Sequence, residues 1–191
     1  MVEDTRNLMK EKLAAGELVL CMNLRLARSV DIATVAKAGG YDALYVDMEH
    51  GPYSTETTST ICAAALGIGV TPLVRVPSHD AHWASRVLDG GAQGVIVPHV
   101  DNRGEAEAVV RNCRFPPVGW RSVMGLGPAL GYRAAPLGEL NDRLNRDTGS
   151  PGRSITRACA RLMSASHWPA ASTARCWGSA GSATMSPCRA S

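Results

Sequence analysis

The chain has 191 residues, 45% of them hydrophobic, which suits one globular domain with a sizeable core. Its net charge of +3 is small and its bases are scattered, with no basic stripe before residue 150, so neither nucleic acid nor a membrane surface is expected as a partner. The N-terminus mixes acids and bases where a secretory signal needs an apolar run, nothing approaches the roughly 18 apolar residues of a membrane span, and six cysteines form no C-x-x-C pair; a cytoplasmic protein with reduced, mostly buried thiols is expected.

After an amphipathic N-terminal stretch, apolar β-branched runs alternate with helix-like segments. The runs are Leu18 to Met22, Ala43 to Asp47, Thr71 to Val76 and Gly94 to Pro98, and their starts lie 25, 28 and 23 residues apart, one βα unit per step. Near-continuous apolar strands of this kind belong to parallel sheets covered on both faces. The spacing predicts helices over about 30–38, capped by Ser29 and stopped at Gly39-Gly40, and over about 56–66, capped by Ser54 or Thr55. A third is predicted over about 81–89, capped by Ser78 or Asp80 and stopped at Gly90-Gly91, and Asn102 caps a fourth. Four βα units fit a doubly wound sheet and a closed barrel equally well. No G-x-G-x-x-G follows the first strand, and the Gly125-Leu126-Gly127-Pro128 turn carries a proline and does not continue as a nucleotide loop.

In a parallel β/α fold the chemistry gathers at the carboxyl ends of the strands. Strand two ends in Asp47-Met48-Glu49-His50-Gly51-Pro52, strand three in Arg75-Val76-Pro77, strand four in Pro98-His99. His50 is the natural acid/base, since its ordinary pKa is near neutral and two carboxylates stand beside it in sequence. Arg75 interrupts an apolar strand and needs an anion, either a structural partner among Asp47 and Glu49 or a carboxylate-bearing substrate. Asp89 closes a helix, where an acid opposes the helix dipole, so a non-local role such as orienting His50 is expected. His79, His82 and His99 share no metal-ligand spacing and read as structural.

From residue 149 the character changes. Up to Thr148 the chain holds 17 acidic and 15 basic residues, whereas the last 43 residues contain no Asp, Glu or Lys. They keep half of the cysteines and tryptophans, which disorder-prone segments usually lack, and show no helical or strand period. GC-rich coding DNA read out of frame gives this mixture of Arg, Ala, Gly, Pro, Ser, Cys and Trp. Residues 149–191 are expected to be an aberrant tail, disordered or out of frame, and 1–148 to be the barrel-forming part.

Four blocks now line up: Tyr45-Val46-Asp47-Met48-Glu49-His50-Gly51-Pro52; Val74-Arg75-Val76-Pro77; Leu88-Asp89-Gly90-Gly91-Ala92-Gln93-Gly94 through Val100; and Arg114-Phe115-Pro116-Pro117-Val118-Gly119-Trp120-Arg121-Ser122. In order and spacing, over about residues 10 to 147, they resemble the HpcH/HpaI aldolase family. The resemblance implies a (β/α)8 TIM barrel of the pyruvate/phosphoenolpyruvate type, of which only the N-terminal half is present. It implies a divalent cation, Mg2+ or Mn2+, and reversible cleavage of 4-hydroxy-2-oxo-acids to pyruvate and an aldehyde. By the same resemblance His50 is the acid/base, Asp89 its dyad partner, and Arg75 the holder of the pyruvyl oxygen and developing enolate. Asp47 and Glu49 support the metal and its waters without ligating it. Intact members imply a homo-oligomer acting on a small 2-oxo-acid. The departure is equally specific: the family's metal-ligating glutamate and aspartate follow strands five and six, and this chain has neither acid after Thr148, so its metal binding is in doubt. A catalytically inactive fragment and a citrate-lyase-like carbon–carbon lyase are the alternatives, and open strand edges imply low stability as a monomer.

Overall fold

The computed structural model describes residues 6–133 and 136–147. The expected tail from residue 149, the boundary at 148 and Cys159, Cys176 and Cys188 lie outside the described residues.

A short helix α1 (Leu8–Ala14) leads into four βα units: β1 (Cys21–Leu24), α2 (Asp31–Ala38), β2 (Ala43–Asp47), α3 (Thr55–Gly67), β3 (Thr71–Arg75), α4 (Ala81–Asp89), β4 (Gly94–Ile96) and α5 (Arg103–Cys113). A 3-10 turn at Pro128–Leu130 and helix α6 (Leu137–Asp147) follow. All strand pairs are parallel and the order is β1-β2-β3-β4. A doubly wound sheet reverses its strand order at a switch point, whereas a barrel adds each strand on the same side. This uninterrupted order therefore decides between the two topologies in favour of the barrel type. None of the described helices is long and apolar enough to cross a membrane.

Register separates the two faces. Leu44, Val46, Val74 and Val95 pack with Ile61, Cys62, Ala65, Val87 and Leu88 from α3 and α4, forming the main core. The alternate residues Ala43, Tyr45 and Leu73 point to the other face, where α1 supplies cover through Met9 and Leu13, and Val19 packs beside them. In a closed barrel that second face is the interior. Asp47 and Arg75 sit opposite each other in register and share the parity of Ala43 and Leu73, so both lie on this inner face at the carboxyl edge.

The start signals are realised unevenly. Ser54 accepts from the backbone N–H of Thr57 and Asn102 from that of Glu105, as the sequence leads one to expect. At α2 the N-cap position is taken by Val30 with no side-chain bond. Ser29, one residue further out, accepts from the Asp31 backbone N–H and donates to its carboxylate at 2.7 Å. Ser78 and Asp80 repeat this knot ahead of α4, at 2.7 Å, so Asp80 spends its carboxylate on Ser78 rather than on the helix. Strand β1 starts three residues later than the apolar run, because the Leu20 N–H is taken by the Asp42 carboxylate at 2.9 Å instead of the ladder. β4 ends at Ile96 rather than at Pro98: proline has no N–H to donate, and His99 turns the chain with a φ of 55°.

Candidate active site

The carboxyl ends of β2, β3 and β4 bring five charged or ionisable side chains together. Asp47, the last residue of β2, is 1% exposed, and its Oδ1 accepts from the backbone N–H groups of Glu49 and His50, both at 3.1 Å. These two bonds fold the Met48-Glu49-His50 segment into a tight turn over the strand end. Gly51 completes the turn: a Cβ there would overlap the Asp47 carbonyl and crowd the Tyr53 ring. The Tyr53 hydroxyl in turn donates to the Ala27 carbonyl at 2.8 Å, tying this loop to the one after β1.

Arg75, ending β3, meets this turn as a fork. Its Nε donates to Asp47 Oδ1 at 3.0 Å and one terminal nitrogen to Oδ2 at 2.7 Å; the other terminal nitrogen lies 2.9 Å from Glu49 Oε2. The guanidinium is 16% exposed and lies 5.7 Å from the centre of the Tyr45 ring. Burial pushes the Asp47 carboxyl up, but the Arg75 guanidinium and the two backbone N–H groups outweigh it and hold the group below its ordinary value. Arg75 is raised in return, chiefly by its hydrogen bond to Asp47. The guanidinium is thus fixed by two carboxylates at the carboxyl end of β3 while part of it stays exposed.

Of the residues expected at the site, the fold thus unites Asp47, Glu49, Arg75 and His50. His50 is 58% exposed, with Nε2 3.8 Å from Glu49 Oε2. Asp89 is not brought to His50 within the chain. It closes α4 at the starting end of β4, the opposite edge of the sheet from the turn after β2. Its non-local partner is Arg121, whose terminal nitrogen donates to Oδ1 at 2.7 Å while the guanidinium stacks 4.4 Å from the Phe115 ring. The acid at a helix end therefore has a distant partner, and within this chain that partner is Arg121.

Two residues were missed. His99, expected to be structural, places Nε2 3.1 Å from Glu49 Oε1 and reaches it through a left-handed backbone that non-glycine residues rarely adopt. Its place just beyond β4 is legible in the sequence, but its contact with Glu49 is not. Arg25, after β1, sets its Nε 3.7 Å from Asp47 Oδ2 and donates to the His50 carbonyl at 3.2 Å; a lone arginine in a loop gives no cue.

The donor set does not suit a divalent cation. Both Asp47 oxygens and both Glu49 oxygens already face arginine or histidine, and no group of three His, Cys, Asp or Glu side chains among the described residues could hold a metal. The cluster is built to hold a guanidinium.

A sequential parallel sheet with α2 to α5 on one face and a buried arginine–carboxylate cluster at its carboxyl ends defines the front half of a TIM-barrel enzyme. The HpcH/HpaI aldolase/citrate lyase family matches residues 22–163, and the chain belongs to it. It is 39% identical over 145 residues to a 4-hydroxy-4-methyl-2-oxoglutarate aldolase of Hapsidospora irregularis, covering 75% of this chain and 54% of that one. It is 36% identical over 140 residues to a 4-hydroxy-2-oxo-heptane-1,7-dioate aldolase of Salmonella arizonae, covering 73% and 51%. The solved HpcH/HpaI aldolase of Desulfitobacterium hafniense superposes with a TM-score of 0.69 at 31% identity, over 73% of this chain and 54% of that structure. The chain spans about half the length of the relatives it matches.

Proposed function

We propose that this chain carries the 2-oxo-acid-binding and proton-transferring part of an aldolase that reversibly cleaves 4-hydroxy-2-oxo-acids to pyruvate and an aldehyde. The observation that carries this reading is Arg75, fixed by Asp47 and Glu49 at the carboxyl end of β3 and still 16% exposed. A guanidinium suits the carboxylate and 2-oxo group of the substrate, and it binds more strongly as the oxo oxygen gains charge on the way to the enolate. His50, exposed at the same mouth, takes the proton of the 4-hydroxyl. The C3–C4 bond then breaks, its electron pair enters the C2–C3 enolate, C4 leaves as an aldehyde, and protonation at C3 gives pyruvate. Relatives named as aldolases for 4-hydroxy-2-oxo-acids support the substrate class.

The Mg2+ or Mn2+ that the family resemblance implies finds no oxygen ligands in this cluster, and no step is assigned to it. This same fact favours a second reading, in which the chain is a catalytically inactive part of such an enzyme. Residues 148–191 contain no carboxylate side chain that could complete a metal site. The purified chain, given a 4-hydroxy-2-oxo-acid with Mn2+ or Mg2+, should release pyruvate, measured by coupling to lactate dehydrogenase. Arg75→Lys and His50→Ala should each abolish the release. No release from the unaltered chain selects the inactive reading, and full activity in either variant removes the assigned roles.

A further inference from the structure

His99 has a backbone shape that its packing does not explain. Its φ is 55°, a left-handed conformation that costs a residue with a side chain free energy and persists only where the surroundings hold it. The side chain is 75% exposed, so burial does not hold it. Among the described residues the polar group that meets the ring is Glu49, whose Oε1 lies 3.1 Å from Nε2. This contact joins the loop after β4 to the turn after β2, across the end of β3 that carries Arg75.

Glu49 is the less secured of the two carboxylates on Arg75. Asp47 is held at Oδ1 by the backbone N–H groups of Glu49 and His50 and by Arg75 Nε, and at Oδ2 by a terminal nitrogen of the same guanidinium. Glu49 turns Oε2 to the other terminal nitrogen at 2.9 Å, and its second oxygen is the one that His99 meets. His50 Nε2, 3.8 Å from Oε2, is beyond hydrogen-bond reach. Glutamate has a long, freely rotating side chain, so a carboxylate gripped at one oxygen swings about that contact, whereas one gripped at both keeps its place.

We propose that His99 is a positioning residue for the oxo-acid site: by fixing Glu49 it fixes the guanidinium of Arg75, and it does so against the stability of its own backbone. This rests on the reading of Arg75 as the group that holds the substrate's carboxylate and 2-oxo group. Held by two carboxylates, the guanidinium keeps one orientation; with Glu49 loose, it is gripped by Asp47 along one edge and tilts about that edge.

Glycine at position 99 separates a role in the site from a role in the fold, because it adopts a positive φ without strain and cannot reach Glu49. His99→Gly should leave the urea midpoint unchanged or raise it. Pyruvate titrated calorimetrically into this variant, with Mg2+ present, should bind at least about tenfold more weakly than to the unaltered chain, the lower end of what loss of a supporting partner costs at metal sites. His99→Gln, whose amide nitrogen can stand near the place of Nε2 and donate to Glu49, should recover most of that affinity. A midpoint that falls together with the affinity marks a residue serving only the fold and overturns the proposal. So does a His99→Gln variant as weak as the glycine one. Equal pyruvate binding by the unaltered chain and His99→Gly removes the role of His99 alone, whereas no binding by the unaltered chain removes the assignment of Arg75 and this role with it.

Discussion

Replacing Asp47 by Asn tests the central structural claim, that a buried carboxylate holds Arg75. Asp47 is 1% and Arg75 16% exposed, and their two hydrogen bonds of 3.0 and 2.7 Å make a bidentate pair. Removing one partner of a buried pair costs about 3 to 5 kcal/mol. Glu49 still faces the guanidinium at 2.9 Å, which places the expected loss at the lower end, about 3 kcal/mol or roughly a 150-fold fall in the folded-to-unfolded ratio. With a urea slope of about 1.5 kcal/mol/M, the midpoint followed by far-UV circular dichroism should drop by about 2 M. Adding Arg75→Met to Asp47→Asn removes the orphaned charge, so the double variant should be more stable than the single one. A midpoint shift under about 0.3 M for Asp47→Asn, or no recovery in the double variant, would refute the reasoning.

Acid should weaken the fold through the same pair. Asp47 and Asp42 both hold their protons less tightly when folded than their ordinary 3.8, so their contribution is complete above about pH 4 and is lost as pH falls through the lower folded values. Urea midpoints should stay level from about pH 7 to 5 and fall below 4, and Asp47→Asn should flatten that fall; an unchanged acid limb in the variant contradicts the assignment. Ser54→Ala removes the acceptor for the Thr57 N–H and should cost about 1 kcal/mol by the same urea assay, whereas Ser29→Ala, which leaves no cap unfilled, should cost less; equal costs would show the caps misread. Burial pushes the Cys62 thiol up to about 12 and Cys113 up to about 11. Peptide mass spectrometry after iodoacetamide at pH 8 should find Cys21 modified in the native chain and the other two only after unfolding; early labelling of Cys62 would mean that the main core is open.

The same contrast between local and distant bonds governs how much could be read beforehand. The four strands, the Ser54 and Asn102 caps and the Asp47 to Gly51 turn were visible because each depends on neighbours within a few residues. Strand β1 was misplaced because the bond that delays it comes from Asp42, 22 residues away. Asp89 points to His50 both by its helix-end position and by the resemblance, while its hydrogen bond within this chain goes to Arg121, 32 residues on. His99 passed as structural because its role depends on Glu49, 50 residues earlier, and on a backbone turn with φ 55° that sequence does not announce.

Composition and spacing alone determined a parallel β/α chain of four units, an arginine needing an anion at the end of the third strand, and a change of character from residue 149. The resemblance of the four blocks implied the barrel, whereas periodicity could not choose between barrel and doubly wound sheet; the strand order chose, because it is a property of pairing between segments and leaves no mark on periodicity. Only the tertiary structure decided that Asp47 and Glu49 both serve Arg75. In sequence these were two acids near a base; in space the base is buried, and a buried guanidinium draws every carboxylate within reach.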